Sequence, residues 1–229
     1  PIGNFGSWFF GSFNGNGHVI SGLTINRPSQ SHIGFFGYLG DSVQRLGLEA
    51  LDISGLDNVG GLAGYSTGLV SSCYAAGSVS GSQWVGGLVG YNGLGVVSSC
   101  YATGSASGSN NVGGLVGNND GIVSSSYAAG TVPLVGTNVG ALVGYNTFGT
   151  TNHCYWDTEI SGTATGVGSG ELAGVTGLAS AEMVVQSSFA GFDFTTTPDW
   201  RIFDGITRPF LPWQDLSQIA YAGGDGSSG

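Results

Sequence analysis

Asn58-Val59-Gly60-Gly61-Leu62-Ala63-Gly64-Tyr65 returns as Trp84-Val85-Gly86-Gly87-Leu88-Val89-Gly90-Tyr91, then as Asn111-Val112-Gly113-Gly114-Leu115-Val116-Gly117-Asn118. A fourth copy, Asn138-Val139-Gly140-Ala141-Leu142-Val143-Gly144-Tyr145, has Ala141 in place of the second glycine. A second phrase lies between the copies: Val70-Ser71-Ser72-Cys73-Tyr74-Ala75, Val97-Ser98-Ser99-Cys100-Tyr101-Ala102 and Val123-Ser124-Ser125-Ser126-Tyr127-Ala128. The valines Val59, Val85, Val112 and Val139 are 26, 27 and 27 residues apart, and a fixed period in this range marks a repeat architecture. Each unit is short, rich in Gly, Ser, Val and Tyr, and poor in helix formers. It has too few leucines for a leucine-rich repeat and too few residues for a four-stranded propeller blade. One coil of a parallel β-helix fits, each strand lying about 4.8 Å from its equivalent in the next coil. The expected fold is therefore all-β: a right-handed parallel β-helix, or β-solenoid, of about six coils of 23–28 residues.

Aligning the second phrase outward sets the columns. Val43, Leu46 and Leu48 match Val70, Cys73 and Ala75; then Val97, Cys100 and Ala102; Val123, Ser126 and Ala128; and Thr151, Cys154 and Trp156. For the first coil the anchors are read as Ile20, Leu23 and Ile25. Cys73, Cys100 and Cys154 then share an inward column with Leu46 and are expected as small buried residues. Cys73 and Cys100 on neighbouring rungs are close enough for a disulfide, which stays open as an alternative. No Cys-x-x-Cys or matching His pair is present, so no metal site is expected.

Residues between inward positions point outward. Tyr74, Tyr101, Tyr127 and Tyr155 are thus expected as an outward ladder, either simple cross-rung packing or a flat aromatic-hydroxyl face that binds ligand. The first phrase is read as a tight strand and corner, where the glycines permit special backbone angles. They form no phosphate loop, since the required Lys and the following helix are missing.

Glycine makes up 45 of 229 residues yet recurs at fixed places, and 41% hydrophobic content is enough for a core. Only 8% of residues are charged; there is no lysine, and Asp120 is the single charged residue between Asn58 and Thr150. A formal charge of −10 disfavours nucleic acid or an anionic membrane as partner. No apolar run is long enough to span a bilayer. No signal peptide is seen, and the start at Pro1-Ile2-Gly3 reads as the interior of a longer protein.

The period stops near Ser161. Ser180-Ala181-Glu182-Met183 suggests a short helix through about Ser188, followed by Phe189, Phe192, Phe194, Trp200, Phe203, Phe210 and Trp213 among prolines. A solenoid end exposes core and strand edges, so this aromatic segment is read as its cap. The expected divisions are a solenoid over 1–160, a capping segment over 161–215 and a flexible linker over 216–229.

The phrases Gly61–Gly64, Gly87–Gly90, Gly114–Gly117 and Ala141–Gly144 resemble the GLUG repeat. Phe13-Asn14-Gly15-Asn16-Gly17-His18-Val19-Ile20 looks like the usual lead-in, and Trp200-Arg201-Ile202 with Arg208-Pro209-Phe210-Leu211-Pro212-Trp213-Gln214 is similar to a frequent ending. The resemblance covers about residues 5–214 and implies a large bacterial surface protein of the filamentous haemagglutinin-like adhesin kind. Some relatives are attached to immunoglobulin-cleaving metallopeptidases, but no His-Glu-x-x-His motif occurs here.

The expected function is a non-catalytic adhesion or stalk module, secreted or on the cell surface. Its partners would be glycans or proteins of host or neighbouring cells, met weakly and multivalently. Alternatives are a self-associating filament and, less favoured, a polysaccharide lyase or hydrolase. The last needs paired carboxylates or a base with cationic help. Asp157 and Glu159 could share a face, yet no basic residue is near them in sequence. No cofactor is expected; Asp and Asn turns could hold Ca²⁺, but no glycine-aspartate nonapeptide array supports it.

Overall fold

The computed structural model describes residues 1–196 and 198–214, and the expected linker over 216–229 lies outside them. Every pairing between strands is parallel among these residues, and partners are one repeat apart. Val70 lies beside Val43 and Val97, Ala102 beside Ala75 and Ala128, and Val89 beside Ala63 and Val116. The chain is a β-solenoid of about six turns.

Three sheets wrap its interior. A six-stranded sheet runs through Phe36–Leu39, Ala63–Ser66, Val89–Asn92, Val116–Asn119, Val143–Asn146 and Val167–Gly170. A four-stranded sheet holds Asp57–Gly60, Gln83–Gly86, Asn110–Gly113 and Thr137–Gly140. The second phrase builds a thirteen-stranded sheet, bent at its middle by one left-handed residue per coil: Arg45, Ser72, Ser99, Ser125 and His153, with φ from 45° to 55°. A matching left-handed column opens the first phrase at Asn58, Trp84, Asn111 and Asn138.

The glycines of that phrase serve close approach, correcting the expectation of special angles. Gly86, Gly87 and Gly90 do not have positive φ. A Cβ on Gly86 would sit 2.0 Å from the Val89 carbonyl oxygen, and one on Gly90 would sit 2.6 Å from the Val59 nitrogen. The four- and six-stranded sheets are pressed together, backbone on backbone. Ala141 leaves the register intact, with Val139 beside Val112 and Val143 beside Val116.

The interior is filled by like-on-like columns, among them Val59, Val85 and Val112, and Leu62, Leu88, Leu115 and Leu142, all 1% exposed or less. Each such burial contributes roughly 1.5–3 kcal/mol. Cys73, Cys100 and Cys154 are free thiols in the inward column, as packing residues. Burial pushes the Cys154 thiol up to about 12. Ser126 fits the same column because its hydroxyl donates to the Ser124 carbonyl and accepts from the Cys100 amide.

A buried amide ladder runs beside them. Asn92 donates to Asn119 at 2.8 Å and Asn119 to Asn146 at 2.9 Å, all three being 0% exposed. Asn119→Ala should cost about 2 kcal/mol, because it strands the Asn146 oxygen without a donor. Asn110→Ala, which loses only a surface contact to Thr137, should change stability by less than about 0.5 kcal/mol. Urea midpoints at constant slope test the pair; equal shifts would show that the ladder contributes nothing.

Three expectations are corrected. In the first coil Phe13, not Ile20, lies beside Val43; Ile20 lies beside Leu48 and Ile25 beside Ile53. The cause is a bulge between Asn14 and His18, where Gly15 presses on the Leu46 backbone. The solenoid continues past 160, since Val167–Gly170 and Val175–Leu178 pair with the preceding coil. The helix is two 3-10 turns, Glu182–Val184 and Gln186–Ser188; the Ser180 hydroxyl caps nothing and is spent on Asp157.

Residues 189–196 and 198–214, read from the sequence as an end cap, follow the tyrosine ladder. They run back along its side as a strap, from Tyr155 past Tyr127 to Tyr74. No helix among the described residues is long and apolar enough to cross a membrane.

Candidate functional site

The expected tyrosine ladder exists. Tyr74, Tyr101 and Tyr127 stack at 4.9 and 5.0 Å with interplanar angles of 3° and 2°, outside the main core. It is not the open face expected for ligand binding. Tyr74, Tyr101, Tyr127 and Tyr155 are 2%, 8%, 2% and 4% exposed, because a stripe of rings is an apolar surface and the strap covers it.

Specific bonds fix the cover. The Trp200 and Trp213 indoles donate to the carbonyls of Ser125 and Ser72, two of the left-handed residues at the sheet bend. The hydroxyls of Tyr127 and Tyr155 donate to the Pro209 and Ala190 carbonyls, and the Gln214 amide donates to the Tyr101 hydroxyl. A cavity of about 390 Å³ remains at the seam, bounded by Glu49, Tyr74, Arg208 and Gln214. There the Tyr74 hydroxyl donates to Glu49 at 2.5 Å. Burial and this carboxylate push the Tyr74 phenol well above its ordinary value.

The strap also brings a cation to Asp157, which the sequence had left without one. Arg208 pairs with it at 2.7 Å, the Ser180 hydroxyl donates at 2.8 Å, and the Glu159 and Ile160 amides donate as well. Burial would raise this carboxyl, but the bonds from Arg208 and Ser180 outweigh it and hold it below its ordinary value. Glu159 is not paired with Asp157 as an acid and base; it accepts from the Ser180 amide.

A second aromatic array lies on the other side of the molecule and was not singled out from the sequence. Tyr65 and Tyr91, the last residues of two repeats of the first phrase, meet edge to face at 5.1 Å. Trp8 packs on Tyr65 at 5.5 Å, Phe10 stacks on Trp8 at 5.9 Å, and Trp84 lies beside Tyr91 at 6.2 Å. Trp8, Tyr65, Trp84 and Tyr91 are half-buried, and Phe10 is 70% exposed. The Tyr91 hydroxyl donates to Asp120, which also accepts from Asn118. The signal was present: these tyrosines recur with the period.

The coil carrying Trp84 and Tyr91 decides the family likeness. Residues 81–107 match the GLUG motif. This GLUG segment holds one copy of each phrase and so contributes a rung to all three sheets. Over 84 residues the chain is 38% identical to halomucin of Haloquadratum walsbyi, a match covering 36% of this chain and 1% of halomucin. The chain thus spans about 1% of that relative's length. Among solved structures, a Bacteroides ovatus protein described as a candidate immunoglobulin A1 protease superposes with a TM-score of 0.57. It is 18% identical, with 89% of this chain and 78% of that one covered, a likeness of fold alone.

Proposed function

We propose that the chain is a non-catalytic stalk and adhesion module of a secreted or surface-attached protein, making weak, multivalent contacts with glycans or proteins of a neighbouring surface. The observation that carries this reading is the stack of coils: strands in its middle pair with their equivalents above and below, which makes a stiff rod with repeating lateral faces. The GLUG motif and the match to part of halomucin support a repeat module within a longer protein. Asp157, the carboxylate read from the sequence as a possible partner of Glu159 in catalysis, is instead held by Arg208 and Ser180.

The test is to immobilise the intact chain densely on beads and measure retention on glycan-coated and protein-coated surfaces. Retention that falls steeply as density is lowered supports adhesion through weak repeated contacts. No retention at any density removes the adhesive part and leaves a spacer. Cleavage of a glycan or protein by the chain would overturn the non-catalytic reading.

A second reading, self-association, is favoured by Val167–Gly170, Thr137–Gly140 and Thr150–Asn152, each paired on one side only among the described residues. Such edges accept another strand. Light scattering that shows a monomer at high concentration would sink it.

A further inference from the structure

Trp84 occupies a position that costs the fold. Its φ is +53°, a conformation that bulky residues seldom adopt. Four equivalent positions hold His32, Asn58, Asn111 and Asn138, residue types that enter that geometry far more readily than an indole. Trp84 is not repaid by full burial: it is half-buried and rests against Tyr91. Strained residues concentrate at ligand-binding positions. Around it lie two kinds of group. Phe10, Trp8, Tyr65, Tyr91 and Trp84 form a continuous line of ring contacts. Next to the line, Asp120 presents a carboxylate, and Asn111 and Asn138, bonded to each other at 2.7 Å, continue the Trp84 column with amides.

We propose that this strip binds a neutral polysaccharide chain laid along the solenoid axis, with Trp84 as its anchor. The assignment rests on the adhesion reading above and moves its glycan contact from the covered tyrosine ladder to this strip. Aromatic rings suit the C–H faces of pyranose rings, and Asp120 and the asparagine amides suit their hydroxyls. The rungs repeat at about 4.8 Å, close to one sugar unit of an extended chain, so successive coils can meet successive sugars. The net charge of −10 and Asp120 itself disfavour uronic or sulfated chains.

The experiment is native electrophoresis of the intact chain through gels containing hydroxyethylcellulose, galactomannan or, as the charged control, polygalacturonate. The unmodified chain should be retarded by at least one neutral polymer and not by polygalacturonate. Trp84→Asn, which installs the residue of the neighbouring coils, should bind about tenfold more weakly or worse while Tm stays level or rises. Tyr65→Asn, matching Asn118 in the same column, should also weaken binding and guards against a folding defect in the first variant. Undiminished retardation of Trp84→Asn would overturn this site but leave adhesion standing. No retardation of the unmodified chain by either neutral polymer would overturn the site and leave the rod to be judged by bead retention.

Discussion

Gly113→Ala is expected to abolish folding of the middle of the solenoid. The added Cβ would lie 2.0 Å from the Val116 oxygen, 2.7 Å from the Gly144 nitrogen and 2.8 Å from the Leu142 oxygen. All three are backbone atoms, so no side chain can turn aside. Separating the pressed sheets would break pairings in the coils above and below, and a cost above about 4 kcal/mol is expected. That is a large share of the roughly 5–15 kcal/mol that holds a domain folded. Gly22→Ala is the control. It has φ +74° and nothing within 4 Å of the new atom, so only the local conformational cost of roughly 1–2 kcal/mol applies. Circular dichroism melts of the two variants decide: comparable Tm values would mean that the sheets can separate at small cost.

Arg208→Ala is expected to cost about 3 kcal/mol and to lift the strap from the tyrosine ladder. Asp157 is 0% exposed, and loss of its cation leaves a buried carboxylate held only by Ser180 and two amides. The readouts are the denaturation midpoint and the emission of Trp200, which should shift red as its contacts with Tyr127 and Phe192 open. The same contact gives a pH dependence. The carboxyl is held below its ordinary 3.8, so its stabilising effect is complete above that pH and drains away as pH falls toward the folded value. Arg208→Ala should flatten that acid limb. An unchanged limb would place the acid sensitivity elsewhere.

How much of this was legible depended on whether a feature repeats. The Val, Leu, Cys and Ala columns recur every 26–27 residues, and periodicity alone placed Val70 beside Val97 and Tyr101 beside Tyr127. The strap does not repeat. Trp200 meets Tyr127, and Trp213 meets Tyr74, across long stretches of chain with no pattern linking them, so the ladder was read as open and the strap as an end cap. The first coil was misaligned because the Asn14–His18 bulge breaks the spacing on which alignment relies. The glycines were seen, but close approach and a turn call for the same residue, and only the observed φ values separate them. At the candidate strip Tyr65, Tyr91 and Tyr145 were visible as a column. Trp84, an indole in a left-handed column of His and Asn, stood out only once its backbone conformation was known.

The strap imposes an order of events on the growing chain. Coils pair with their neighbours as they are made, so the solenoid can assemble progressively from its N-terminal side. Tyr74 is then displayed well before Trp213 exists to lie against it, and Tyr101 well before Gln214. During synthesis, or passage through a membrane in the same direction, a line of stacked rings is bare on every nascent molecule. Exposed apolar surface of this kind is open to a neighbouring chain until the last described residues arrive. A chain ending before residue 200 would lack the groups that lie against Tyr74, Tyr101 and Tyr127.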